Sequence, residues 1–176
     1  GYVSDSNERE WLAHRMESIA GRIKISPSEQ KNAATKMMMA ETFERFVEKK
    51  FSSFKRYSGE GAEAMMPAVD TLLHLSAESS IDDVVIGMPH RGRLAMMVSL
   101  LEYPARQIFW KIQGNSEFPV GIRGVDDVTS HIGVSIDKKY GNGQVHVSLL
   151  HNPSHLEIIN PVATGKVRAK RDDGSN

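Results

Sequence analysis

The chain has 176 residues, 40% hydrophobic and 25% charged, with 22 basic and 22 acidic side chains that cancel to zero. That length can bury a core of one ordinary domain. The balanced charge supplies no global field for nucleic acid or an anionic membrane, so no nucleic-acid or membrane partner is expected and any anion recognition has to be local. With no cysteine there are no disulfides, thiolate metal ligands or thiol nucleophiles.

The chain begins at Gly1 rather than methionine and closes on "KRDDGSN" directly after a helical stretch, so both ends read as cuts through something larger. The opening "NEREWLAHRMESIAG" predicts a helix capped by Asn7, with Glu10 reaching back and Gly21 ending it. "SPSEQ" is a second start signal, with Ser26 as cap, Pro27 in the first turn and Glu29 closing a capping box. Helical spacing then runs through Met37, Met38, Phe43, Phe46 and Val47. A turn over residues 52–61 leads to a helix carrying Met65, Val69, Leu72 and Leu73. The methionine pairs at 38–39, 65–66 and 96–97 are most simply core.

From residue 83 the pattern changes. "DVVIG" (83–87) is short, apolar and β-branched, as in a buried parallel strand. "RLAMMVSLLE" has helical character, and "PARQIFWKI" starts another helix behind Pro104. Residues 114–133 form a long loop, the kind that often carries function. "QVHVSLL" (144–150) is a second strand, and the following stretch is helical with Pro161 interrupting. Helices followed by strand–loop–helix units predict an α/β fold with a mainly parallel sheet.

In such sheets ligands bind beyond the carboxyl ends of the strands. Residues 88–92 and 151–154 sit there, offering His90, Arg91 and Arg93 from the first loop and Asn152, Ser154 and His155 from the second. Both precede a helix, whose N-terminus favours phosphate or carboxylate. Each residue also has a plainer reading. An arginine there can be a solvated charge or an ion-pair partner, and Ser154 with Glu157 is itself a capping box. His151 and His155 stand four apart, but Pro153 disfavours one helix through both, which weakens a metal reading. There is no nucleophile elbow and no P-loop.

Four stretches, "KRYSGEGAEAMMPAVDTLL", "VVIGMPHRGRL", "DDVTSHIG" and "NPSHLEIINPVATGKVRAK", occur in this order and at similar spacing in the E1 components of 2-oxoglutarate dehydrogenase complexes. The chain resembles that family from "EREWLAHRMES" to "GKVRAK", and "RYSGEGAEAMM" with "SEFP" is most similar to its 2-oxoadipate dehydrogenase branch. The resemblance implies the N-terminal part of a thiamine-diphosphate-binding fold, with a helical segment over residues 1–60 and the first part of the cofactor domain over 61–176. It implies oxidative decarboxylation of a 2-oxo dicarboxylic acid (2-oxoadipate or 2-oxoglutarate), acyl transfer to the lipoyl group of an E2 acyltransferase, and a homodimer in the mitochondrial matrix or, in a bacterium, the cytoplasm. By motif position, His90 and His131 would be catalytic. Arg91, His131, Ser154 and Leu156 would face thiamine diphosphate, and Tyr57, His90 and Ser135 would line the substrate cavity.

The sequence departs from the family at Ala95, where asparagine is usual, and at Asp126, where glycine is usual. The family's magnesium and diphosphate motif falls beyond Asn176, so the Mg2+ ligands are expected outside this stretch and the stretch alone is expected to be inactive. A non-catalytic binding or regulatory module that keeps the fold is the alternative.

Overall fold

A computed structural model describes residues 3–116, 118, 120–122, 124–151 and 157–174. Two compact units divide the chain, Gly1–Lys31 and Asn32–Asn176.

In the first unit, α1 (Ser6–Ile19) carries no buried residue. Its cap is Asp5 rather than Asn7: the Asp5 carboxylate accepts from the Asn7 and Glu8 N–H groups at 2.8 and 2.9 Å. A carboxylate two residues earlier satisfies two orphan donors at once and complements the helix dipole. The helix ends at Ala20, whose φ of 46° gives the left-handed turn expected of Gly21. The second start signal forms as expected. The Ser26 N–H donates to Glu29 at 2.7 Å and the Glu29 N–H donates to Ser26 Oγ at 3.3 Å, a reciprocal capping box at the head of α2 (Pro27–Lys50).

The second unit is built on a three-stranded sheet of order β1-β3-β2. Its elements are α3 (Met65–Glu78), β1 (Asp83–Ile86), α4 (Arg93–Ser99), α5 (Ala105–Ile112), β2 (Val134–Tyr140), β3 (Gly143–Leu149) and α6 (Ile159–Asp172). The fold is mixed helix and strand, as expected of an α/β chain, and β1 and β3 are parallel. The sheet is mixed rather than mainly parallel, because β2 pairs antiparallel with β3. The two-residue turn Gly141-Asn142, with Gly141 at φ 58°, joins them. β1 is an edge strand and only half-buried, not enclosed on both faces.

Val145, Val147 and Leu149 face the core with Leu73, Ala77, Met96, Met97, Leu100 and Ile108. Of the methionine pairs, Met66, Met96 and Met97 are buried, but Met38 and Met39 are exposed. α2 buries a narrow stripe of Ala40, Phe43 and Val47, and both methionines fall beside it. Pro161 does not interrupt α6. It lies in the first turn, where its missing N–H costs nothing.

Tyr140, Asp70 and α2 form a buried polar knot. Asp70, 7% exposed, accepts from the Tyr140 hydroxyl at 2.8 Å and from Asn32 Nδ2 at 3.3 Å, and pairs with Lys36 at 3.3 Å. Burial, followed by the hydrogen bond to Asp70 and the charges of Asp70 and Glu102, pushes the Tyr140 phenol well above its ordinary range.

Candidate functional site at the end of the sheet

β1 and β3 are parallel and β2 runs against them, so the carboxyl ends of β1 and β3 and the amino end of β2 share one end of the sheet. Residues 87–92 leave β1 there, the 3-10 turn Thr129–His131 enters β2 there, and Leu150 and His151 leave β3 there. Chain geometry alone brings three distant segments together.

Arg93 ties them. Its side chain is fully buried, and its guanidinium donates to Ile132 O (3.1 Å from Nε, 2.6 Å from Nη2), to Met88 O (3.4 Å) and to Leu150 O. Burial lowers its pKa to about 10, so it remains a cation at neutral pH. Among the described residues, every side-chain hydrogen bond that Arg93 makes goes to a backbone carbonyl. It is a strut between the three segments, not the anion ligand expected from its place in the loop. A planar fork with several donors is the group suited to holding three strand ends at once.

Arg91 goes the other way. It is exposed, and one guanidinium N–H donates to Ser58 O at 2.9 Å. That bond belongs to a second junction, between residues 57–59 and 90–92. The Gly92 N–H donates to Tyr57 O at 2.9 Å, and the Tyr57 and His90 rings lie 4.0 Å apart between centroids, tilted by 45°. Glycine is required on both sides of this junction. A Cβ on Gly59 would sit 2.9 Å from Gly92 Cα, and Gly92 itself has φ 71°. Glu44 of α2 holds the turn from behind, accepting from the Gly59 N–H at 2.8 Å and from the Ser58 hydroxyl. Tyr57 has φ 48°, a left-handed conformation that costs a bulky residue about 1–2 kcal/mol. Strain of this kind persists where the surroundings over-determine it. The positive charge of Lys55, 5.1 Å above the Tyr57 ring, completes the cluster.

His131 is half-buried in the turn before β2, and its Nδ1 lies 2.9 Å from Asp127 Oδ1. Asp127 loses some ionisation to desolvation, but the Val128 N–H and His131 outweigh it and hold the carboxyl below its usual range. His151 places Nδ1 3.1 Å from His131 O. Ser135, exposed on β2, has its hydroxyl 2.9 Å from His146 Nε2, and His146 Nδ1 is 2.6 Å from Asp137 Oδ1. Asp137 and His146 were not legible as site residues, because their pairing depends on the register of a strand that sequence patterning did not identify.

Of the expected site residues, Tyr57, His90 and Arg91 meet in one junction, while His131 and Ser135 stand at the entrance to β2, tied to it through Arg93 and Ile132. Ser154, Leu156, Asn152 and His155 lie outside the described residues. Among the described residues no group of three histidine or carboxylate side chains could hold a metal ion, and no helix is long and apolar enough to cross a membrane. Among the described residues Arg91 makes one side-chain hydrogen bond, to Ser58 O, and the imidazoles of His90, His131 and His151 stand on the adjoining segments.

No family model matches the sequence. The chain is 48% identical over 172 residues to a probable 2-oxoadipate dehydrogenase complex component E1 homolog of Dictyostelium discoideum, covering 97% of this chain and 19% of that protein. It is 43% identical over 176 residues to the human 2-oxoadipate dehydrogenase complex component E1 (98% and 19%). To the 2-oxoglutarate dehydrogenase E1 component of Brucella canis it is 37% identical over 171 residues (97% and 17%). The chain thus spans about a fifth of the length of these relatives, nearly all of it matched. It belongs to the family of 2-oxoglutarate and 2-oxoadipate dehydrogenase E1 components.

Proposed function

We propose that this chain supplies the substrate-facing side of a thiamine-diphosphate-dependent E1. That E1 oxidatively decarboxylates a 2-oxo dicarboxylic acid, 2-oxoadipate or 2-oxoglutarate, and passes the acyl group to the lipoyl arm of an E2 acyltransferase. One observation carries the reading. The 57–59 and 90–92 segments, far apart in sequence, are locked together by the Gly92-to-Tyr57 and Arg91-to-Ser58 hydrogen bonds, which press Tyr57 against His90 at the carboxyl end of β1.

Arg91 and His131, with Ser154 and Leu156, would hold thiamine diphosphate. The exposed guanidinium of Arg91 fits an anionic group, and no residue of this chain is proposed as a magnesium ligand. The chemistry that the cofactor supplies when bound is carbanion stabilisation at the 2-oxo carbon. The protein groups position and neutralise. His90 can donate to a substrate oxygen, its ring fixed by Tyr57, and His131, oriented by Asp127, can serve as an acid–base group. Tyr57 and Ser135 offer hydroxyls to a substrate carboxylate.

The test is decarboxylation by the full-length enzyme with an artificial electron acceptor, comparing wild type with His90→Ala and His131→Ala. Loss of turnover with unchanged melting supports the reading. Normal turnover in both variants refutes it and leaves a binding module.

A further inference from the structure

The face of the sheet turned away from the core carries an arrangement of which the function above uses only Ser135. Strand register sets Asp137 of β2 directly across from His146 of β3, and Ser135 across from Ser148. Residues 135, 137, 146 and 148 therefore share one face. On it, Asp137 Oδ1 is 2.6 Å from His146 Nδ1, and His146 Nε2 is 2.9 Å from Ser135 Oγ. This is the connectivity of an acid–histidine–serine relay, recognised by geometry rather than by order in the chain.

We propose that Asp137 and His146 are positioning residues that set the direction of the Ser135 hydroxyl, and with it the recognition of the carboxylate of a 2-oxo dicarboxylic acid. The proposal rests on the reading of Ser135 as a substrate-lining residue.

The physical argument concerns where one proton points. A carboxylate on Nδ1 keeps the proton on that nitrogen, as an orienting carboxylate does in other histidine relays. In neutral His146, Nε2 is then the acceptor, the Ser135 O–H donates to it, and the serine oxygen presents only lone pairs to a ligand. An anion cannot use that arrangement. When Nε2 takes a proton from solvent, it donates to Ser135 Oγ instead, and the hydroxyl proton is released toward the carboxylate. Asp137 balances the imidazolium charge. Across the sheet, Asp83 of β1 is the register partner of His146 and is itself paired with Lys170 of α6 at 2.6 Å, so it is already neutralised. Lys139 is the remaining charge on the same face of β2. An anionic substrate oxygen at Ser135 is thus served only when His146 Nε2 donates to Oγ, with Asp137 holding the Nδ1 proton in place.

The experiment is steady-state kinetics of the full-length enzyme with a 2-oxo dicarboxylic acid and with a 2-oxo monocarboxylic acid of equal chain length. Asp137→Asn, His146→Ala and His146→Gln are each measured with Ser135 and with Ser135→Ala. A hydrogen bond to a charged group sets the scale, so Asp137→Asn and His146→Ala raise KM for the dicarboxylic acid about tenfold, with kcat within about twofold. Both leave the monocarboxylic acid unaffected. His146→Gln, whose amide can donate to Ser135 Oγ, restores most of the affinity. In the Ser135→Ala background all three substitutions become silent. Effects that persist undiminished without Ser135, fall equally on both substrates, or are missing altogether overturn the proposal. A Ser135→Ala enzyme with unchanged KM refutes the substrate reading itself and takes this inference with it, and that pattern is distinct from the others.

Discussion

Replacing Arg93 with methionine removes the cation that joins three strand ends and keeps most of the side-chain volume. The carbonyls of Met88, Ile132 and Leu150 lose their charged donor inside a buried site. Hydrogen bonds to a charged group contribute about 1.5–3 kcal/mol each, so three such partners total about 4.5–9 kcal/mol. Against that stands the cost of burying a guanidinium. Its pKa, brought down from 12.5 to about 10 by burial, corresponds to about 3 kcal/mol that methionine does not incur. The net loss is about 1.5–6 kcal/mol, and at about 2–4 °C per kcal/mol for a domain of this size the melting temperature falls by about 10 °C. Arg93→Lys should lie between, because a compact ammonium cannot span three carbonyls. Arg91→Ala, at an exposed site with one hydrogen bond, should shift stability by less than about 0.5 kcal/mol. Circular dichroism melts of the three variants check this. An Arg93→Met protein that melts within about 2 °C of wild type, or an Arg91→Ala protein that is the less stable of the two, refutes the assignment of the two arginines to different jobs.

His90→Ala should lower turnover of the full-length enzyme on the order of a hundredfold to a thousandfold while barely moving the melting temperature; activity assays beside melting curves would expose a structural histidine if the pattern came out reversed. Tyr57→Phe keeps the ring against His90 and removes only the hydroxyl, so competition between 2-oxoadipate and 2-oxoglutarate should shift relative kcat/KM by about tenfold to a hundredfold against the longer acid; an unchanged ratio removes Tyr57 from specificity. Tyr140→Phe should cost about 1–2 kcal/mol in denaturant titration, because buried Asp70 loses one of its donors. The same phenol is held above its unfolded value near pH 10, so its contribution is fully present below about pH 10 and is lost as pH rises through the folded value. Wild type should therefore lose stability in alkali more steeply than Tyr140→Phe, and parallel curves would contradict it.

Local signals were strongest where one residue decides a local geometry. The Ser26–Glu29 capping box, the start of α5 at Pro104, and the strands at 83–87 and 144–150 were legible because caps, proline and β-branched runs act over a few bonds. β2 was not. Its core-facing positions are Val134, Ile136, Lys138 and Tyr140, and the lysine breaks the alternation that marks a half-buried strand. Lys138 is tolerated there because it reaches Leu100 O at 3.1 Å and Glu102, partners supplied by the turn after α4. Met38 and Met39 failed for the reverse reason: helical spacing admits more apolar positions than the stripe α2 actually buries.

The sequence by itself determined the family, the helices and the strands β1 and β3, and the loop chemistry at residues 88–92, since these depend on residue type and near-neighbour spacing. Tertiary structure alone decided what the charges in that loop do. Arg91 and Arg93 are two residues apart and chemically identical, yet one is exposed and the other fully buried under three carbonyls. The difference arises because α4 begins at Arg93 and turns that side chain inward, toward strand ends contributed by residues 39 and 57 positions away. The Ser135–His146–Asp137 alignment likewise exists only once β2 and β3 pair in register, because a one-residue slip would send those side chains to opposite faces.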